Sequence, residues 1–158
     1  MPLLFAFVMG LVAGSRTFLA PAIVSWGLVL HGSALIPGLS QSPLAFMQSS
    51  ITAWIFALLA IGELIGDKLP SASSRLAPGP LVARVVSGAL SGATICAAIG
   101  ASVPAGAVLG VLGALAGAWV GFTFRTSWSK PLHAPALVTA LIEDAIAIGA
   151  ALFVMSRL

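Results

Sequence analysis

Five ionisable residues lie inside or at the edge of long apolar stretches of the sequence, and their chemistry needs an explanation. They are one cation and four acids: Arg16, Glu63, Asp67, Glu143 and Asp144. A charge within the hydrocarbon layer of a membrane is costly, so each is a candidate functional residue. Buried carboxylates bind protons or cations, and a buried arginine pairs with a carboxylate or holds an anion.

The spacing of these residues restricts how they can meet. Glu63 and Asp67 are four residues apart and share one face of a helix. Glu143 and Asp144 are adjacent, so on a helix their side chains point about 100° apart and cannot face one partner equally. We predict that Arg16, the deepest cation, pairs with Glu143 or Asp144. The remaining acids are then protonated, hydrated, bound to a cation or paired with cations at the rim.

The composition indicates a membrane protein. Hydrophobic residues make up 59% of the 158 residues, charged residues only 7%, and the mean hydropathy is +1.13. Soluble domains carry about 25% charged residues because their surface faces water. A lipid bilayer removes that requirement and is the first predicted partner. The basic residues form no run or stripe, so we expect no nucleic-acid partner despite the net charge of +3.

Five apolar segments are long enough to cross a bilayer, which takes roughly 20 helical residues. They predict an all-α integral membrane protein, a bundle of about five transmembrane helices in a single domain over residues 1–158. The predicted helices cover residues 3–30, 44–65, 81–101, 104–124 and 136–155. The first is longer than a bilayer requires and contains Gly14 and Pro21, so it either tilts or breaks near Gly14.

The distribution of basic residues predicts the orientation. The loop after the second segment and its flank carry Lys68, Arg75 and Arg84, and the loop after the fourth carries Arg125 and Lys130. The other two loops have no Lys or Arg. Five alternating spans place both basic loops on one side, which the positive-inside rule assigns to the cytoplasm. We therefore predict a multi-pass protein of the inner (cytoplasmic) membrane with a cytoplasmic N-terminus.

Glycines recur at intervals of four residues in three of the segments. This spacing puts them on one helix face and lets two helix backbones approach closely. We interpret the repeats as packing surfaces within the bundle, with a homodimer through the same faces as the alternative. The repeats are Gly10 and Gly14, Gly88 and Gly92, Gly106 and Gly110, and Gly113, Gly117 and Gly121.

Three strings together resemble a known family: GLVAGSRTFLAPA at 10–22, GELIGDKLP at 62–70, and EDAIAI at 143–148. With Arg75 and Arg84, they resemble a domain-of-unknown-function family of small polytopic bacterial membrane proteins. The resemblance covers nearly the whole chain and implies a polytopic membrane fold but no known activity. It marks these motif positions: Arg16, Glu63, Asp67, Lys68, Arg84, Glu143 and Asp144.

The function that we predict is a transporter or channel for a small solute or ion. Its four carboxylates would bind a cation or proton, and Arg16 would compete for a carboxylate or hold an anionic substrate. This function needs no cofactor and no catalytic residue. One alternative is a structural or assembly subunit, in which the charges only form ion pairs.

The other alternative is a membrane enzyme that acts on a lipid phosphate. Residues 62–92 are weakly similar to membrane enzymes that handle polyprenyl or lipid phosphates. Carboxylates at the cytoplasmic face could hold Mg²⁺, which no other hypothesis requires. The phosphate oxygens would contact basic residues at the rim: Lys68, Arg75, Arg84 and Arg125.

Overall fold

The computed structural model of the chain describes residues 1–31, 37–66, 78–128 and 136–158, without the side chains of residues 31, 37, 124–128, 136, 137 and 139. Within these ranges the chain is helical and contains no strand, which confirms the predicted all-α class there. The elements are α1 (Pro2–Ser15), α2 (Leu19–His31), the short α3 (Pro37–Ser40), a 3-10 helix (Pro43–Gln48), α4 (Ser50–Gly66), α5 (Pro78–Ala98), α6 (Val103–Trp128) and α7 (Ala136–Met155).

The first predicted segment is two helices rather than one. Arg16 has extended backbone angles, φ −138° and ψ 105°, which end α1. In a continuous helix the amide of residue 21 would donate to the carbonyl of Thr17, but Pro21 has no amide proton. The predicted break near Gly14 therefore occurs at residues 16–18, which we call the hairpin tip.

The second predicted segment begins later than expected. The predicted start at residue 44 is wrong, because Ser42 caps a 3-10 helix and its side chain accepts a hydrogen bond from the Leu44 amide. Ser49 is then extended, at φ −78° and ψ 132°, and separates this element from α4. The other predicted helices agree with α5, α6 and α7 to within about four residues.

Close glycine contacts fix the direction of α1 against α5 and α6. Gly10 lies against Gly110, and Gly14 against Ala114, so α1 and α6 run in parallel. Helix α5 runs the opposite way, because Gly88 lies against Gly110 whereas Gly92 lies against Gly106.

Contacts of α2 show that it runs back along α1. Thr17 contacts Ser87 of α5, and Gly38, which follows α2, faces Ala97 near the other end of α5. Helix α2 is therefore parallel to α5 and antiparallel to α1. Helix α7 also follows α2, because Asp144 contacts Arg16 and Met155 contacts Gly27. The pair α1–α2 is thus a helical hairpin.

The hairpin corrects the predicted orientation. Helix α4 runs antiparallel to α2, because Glu63 contacts Thr17 and Trp54 contacts Trp26. Met1 therefore lies at the same end of the bundle as the C-terminus, opposite the ends of α4 and α6 and the starts of α5 and α7. Those four helix ends flank both basic segments, 67–77 and 129–135. The prediction that the N-terminus shares the side of the basic loops is therefore wrong, because the first segment turns back on itself instead of running through the bundle as one helix.

Helix lengths differ between the hairpin and the rest of the bundle. Helices α1 and α2 have 14 and 13 residues, which is about 20 Å each, below the roughly 30 Å of a hydrocarbon core. Two helices among the described residues, Pro78–Ala98 and Val103–Thr123, are long and apolar enough to cross a membrane. The five-span arrangement stays a prediction.

The glycine repeats pack inside the chain. A Cβ atom on Gly110 would overlap the Gly88 carbonyl, and one on Gly10 would overlap the Gly110 carbonyl. Gly113 and Gly117 meet the α1 backbone in the same way. These contacts place α6 against both α1 and α5 at backbone distance and confirm the packing interpretation for these glycines.

The distribution of polar and apolar side chains is the opposite of that in a water-soluble globular protein. Large apolar side chains are exposed, among them Ile51 (72%), Trp119 (65%) and Leu58 (64%), whereas Arg16 is 1% exposed and Arg84 is 4% exposed. In soluble proteins, charged side chains are almost never fully buried unless they are paired. The interior charges therefore need partners. The hairpin tip provides them for Glu63 and Asp144, through backbone amides and the Arg16 side chain.

Candidate functional site

The hairpin tip is a helix break enclosed by the rest of the bundle. Arg16 and Thr17 are buried and Phe18 is half-buried. Helix ends leave backbone amides and carbonyls without helical partners, and buried groups of this kind must find partners elsewhere. The Arg16 amide still donates to the Val12 carbonyl at 2.8 Å and completes the last turn of α1. The Thr17 and Phe18 amides, the Thr17 carbonyl and the Arg16 side chain contact α4, α5 and α7.

Glu63 of α4 binds the amides at the start of α2. One carboxylate oxygen accepts from the Thr17 amide at 2.7 Å, and the other accepts from the Phe18 amide at 2.9 Å. The N-terminal end of a helix carries a partial positive charge, so a carboxylate is stabilised there. Glu63 therefore has a backbone partner that the sequence prediction did not consider, and both its oxygens point into the bundle.

Ser87 of α5 completes the tip on the carbonyl side. Its hydroxyl donates a hydrogen bond to the Thr17 carbonyl, the group that Pro21 leaves without a helical donor. Ser87 is 6% exposed and was not among the predicted site residues. The signal that could have found this contact is Pro21 itself, since a proline predicts an unpaired carbonyl four residues earlier.

Arg16 pairs with Asp144 of α7, as one of the two predicted pairings requires. The Arg16 Nη2 and Asp144 Oδ1 atoms are 2.5 Å apart, and the side chains are 1% and 10% exposed. An ion pair so enclosed is strongly coupled, because removal of either member leaves a buried charge and costs about 3–5 kcal/mol. The ion pair therefore stabilises the packing of the tip against α7.

Glu143 does not join this pair. It is half-buried and lines a crevice of about 300 Å³ between α1, α6 and α7, together with Ser15. The Ser15 hydroxyl is used locally and donates to the Val12 carbonyl at 2.9 Å. As expected for adjacent residues on a helix, the two side chains point in different directions: Asp144 faces the tip, and Glu143 faces the crevice.

The basic residues predicted at the rim of the bundle differ in where the structure places them. Arg84 lies inside the bundle instead of at its rim. Helix α5 begins at Pro78, six residues before Arg84, and carries Arg84 on the same side as Ser87. Arg125 belongs to α6, but its side chain is not among those described. Asp67, Lys68 and Arg75 lie outside the described residues.

The comparisons with known proteins return nothing: no family model, no curated protein and no solved structure matches the chain. The resemblance to a family of polytopic bacterial membrane proteins therefore stays a prediction. In the part of the chain that the structure describes, the fold and site define a helical protein with two helices long and apolar enough to cross a membrane and a buried polar helix break.

Proposed function

We propose that this protein is a multi-pass protein of the inner membrane that transports a small ion or solute, and that the hairpin tip is its exchange site. The observation that carries the proposal is the break between α1 and α2, held inside the bundle by two carboxylates from two other helices. Transporters build midplane sites from discontinuous helices of this kind.

The membrane part of the proposal rests on the surface. Large apolar side chains are exposed on α4, α5, α6 and α7, while Arg16, Arg84 and Asp144 are buried. Hydrocarbon solvates such an exterior and water does not. Irregular backbone at membrane depth is tolerated only where protein or a water-filled cavity surrounds it, and the tip is surrounded by α4, α5 and α7. The basic segments then face the cytoplasm.

The exchange step follows from what holds the tip. A proton or cation that neutralises Asp144 competes directly with Arg16 for the same oxygen. Protonation of Glu63 removes the negative charge that the start of α2 attracts. Either event loosens the hairpin from a neighbouring helix, so ion binding and movement of the hairpin are coupled. Glu63 and Asp144 are the ion-binding groups, and Arg16 is the competing internal cation.

A flux assay in liposomes tests the proposal. We expect Glu63→Gln and Asp144→Asn each to lose most of the proton or cation flux of the wild type, and Arg157→Gln to retain it. Arg157 is a suitable control because it is exposed at the C-terminal end, against Phe153. Wild-type flux in both carboxylate variants, each verified as folded and monodisperse, would end the proposal.

A structural subunit is the second candidate, and one observation favours it. The Thr17 and Phe18 amides, the Thr17 carbonyl and the Arg16 Nη2 atom all have partners, and Arg16 and Asp144 are nearly inaccessible. A purely structural pair can be replaced by a neutral pair without functional loss. Absence of flux from the wild type itself would favour the structural subunit. If the wild type gives flux, the double variant Arg16→Gln/Asp144→Asn tests the pair: recovered stability without flux supports its role in transport, and recovered stability with unchanged flux shows that the pair is only structural.

A further inference from the structure

A second cavity, which we call the apolar groove, runs along α2 between α4 and α7 and has a volume of about 470 Å³. Its lining residues lie between Leu19 and Leu30 on α2, between Ala57 and Leu64 on α4, and between Leu152 and Ser156 on α7. On each helix they are spaced three or four residues apart, so one face of each helix forms a wall. Small side chains, among them Ala57 and Ala60, leave the space open.

The lining of the apolar groove restricts what can occupy it. Ser156 is the one lining residue with a hydroxyl, and its Oγ atom donates to the Phe153 carbonyl at 2.8 Å. An extended peptide would bring amides and carbonyls that these walls do not bond, at a cost of about 1–3 kcal/mol for each buried group. A hydrocarbon chain has no polar group to satisfy, so the lining favours it.

The length of the apolar groove matches one leaflet of a bilayer. Its α2 wall extends from Leu19, beside the hairpin tip, to Leu30, at the end of the bundle that holds both termini. These eleven steps along the helix rise about 16 Å. Half of a hydrocarbon core is about 15 Å, the depth that the acyl chains of one leaflet fill. One acyl chain can therefore extend along the whole groove.

A cation lies where the apolar groove reaches the terminal end of the bundle. Arg157 directly follows the lining residue Ser156, and it is the one exposed basic side chain that the structure describes. Its guanidinium lies over the Phe153 ring, 5.3 Å from the centroid. A ring contact does not use all five N–H donors of a guanidinium, so donors remain for the oxygens of a phosphate. The groove and Arg157 together match an acyl chain that carries an anionic headgroup.

We propose that the apolar groove binds a phospholipid, with one acyl chain along α2 and the phosphate at Arg157. The inference rests on the membrane placement in the proposed function and goes beyond transport, because the lipid is a bound partner and not the transported solute. The chain fills the space between α4 and α7, each of which contacts α2, through Trp54 and Met155. The lipid therefore packs against the second helix of the hairpin.

Native mass spectrometry of the purified full chain, released from non-ionic detergent, tests the headgroup contact. The probes are dioleoyl phosphatidylglycerol and dioleoylglycerol, which have the same acyl chains, but only the first has a phosphate. We expect the wild type to bind one phosphatidylglycerol per chain, about tenfold or more tightly than dioleoylglycerol, as a hydrogen bond to a charged group provides. Arg157→Gln should remove this preference.

A matched pair of alanine substitutions tests the position of the acyl chain. Ala57→Leu narrows the apolar groove and should weaken the binding of both lipids about tenfold or more, because fewer methylene groups are buried. Ala83→Leu makes the same change at an exposed position on α5 and should leave the binding of both lipids unchanged. Arg157→Gln alters only an exposed terminal side chain, so its result does not depend on how well Ala57→Leu folds.

Three results would overturn the lipid site. They are absence of a saturable one-to-one complex with the wild type, equal binding by Ala57→Leu, and an unchanged headgroup preference in Arg157→Gln. A lipid-free dimer that Ala57→Leu dissociates would show that a second copy covers the groove, and would also overturn it.

Flux measurements separate the lipid site from the proposed transport. Arg157 lies outside the hairpin tip, so Arg157→Gln should lose the lipid preference and keep the flux. Flux that depends on Glu63 and Asp144, without lipid binding by the wild type, leaves the transport proposal standing alone. The expected lipid binding in a chain without flux supports the lipid site and overturns transport.

Discussion

The ion pair between Arg16 and Asp144 gives the sharpest prediction about stability. Each residue is enclosed, with Arg16 1% exposed and the Asp144 side chain 10% exposed. Asp144→Asn removes the negative charge that Asp144 places against the guanidinium, and Arg16→Gln removes the cation that pairs with the Asp144 carboxylate. Each change should lower the free energy of unfolding by about 3–5 kcal/mol, the cost of an unpaired buried charge.

The double variant Arg16→Gln/Asp144→Asn separates coupling from general damage. If the two sites were independent, the losses would add to about 6–10 kcal/mol. Because the neutral pair can hydrogen-bond and buries no charge, we expect it to lose less than about 2 kcal/mol. The assay is reversible unfolding in mixed micelles with an increasing fraction of SDS. Additive losses in the double variant would refute the enclosed pair.

Two further predictions concern the packing of the bundle. Ser87→Ala should lower the free energy of unfolding by about 1–3 kcal/mol in the same assay, because the Thr17 carbonyl loses its donor; an unchanged midpoint would show that this hydrogen bond contributes nothing. Gly110→Ala should cost about 1–3 kcal/mol or more, because its Cβ overlaps the α5 backbone. Gly149→Ala, in open space on α7, should instead stabilise by up to about 1 kcal/mol, and equal effects of the two alanines would contradict the described packing.

Part of the site could be predicted because it follows from the cost of a buried charge. Arg16 is the deepest cation and needs a carboxylate, so a partner in the Glu143–Asp144 pair was expected, and Asp144 is that partner. Which of the two acids faces Arg16 depends on the rotation of α7, which the sequence pattern does not determine. The glycine spacing likewise predicted close helix contacts, and Gly10 and Gly110 provide one.

Other parts of the site could not be predicted, because they depend on the reversal of chain direction at the hairpin tip, which a hydropathy pattern does not show. Residues 3–30 are apolar apart from Ser15, Arg16, Thr17 and Ser25, so the hydropathy pattern predicts one crossing, although a three-residue break reverses the chain direction. Once the chain turns back, the amides of the tip need an acceptor, and Glu63 supplies it. Every residue has a backbone amide, so the sequence does not single out these amides and indicates only cations, protons and water as partners for Glu63. Arg84 was misplaced because α5 begins at Pro78, earlier than its apolar run.

The central claim is that α1 and α2 form a hairpin within a membrane, so that both termini lie on the same side. Labelling of single cysteines in oriented membrane vesicles tests it most directly. In a Cys96→Ala background, one cysteine is inserted after Met1, one replaces Leu158 and one replaces Ser73. Each protein is treated with a membrane-impermeant maleimide. We predict that the two terminal cysteines react from one side and position 73 from the other. Reaction of the two termini from opposite sides, as one continuous first span would require, would contradict the hairpin.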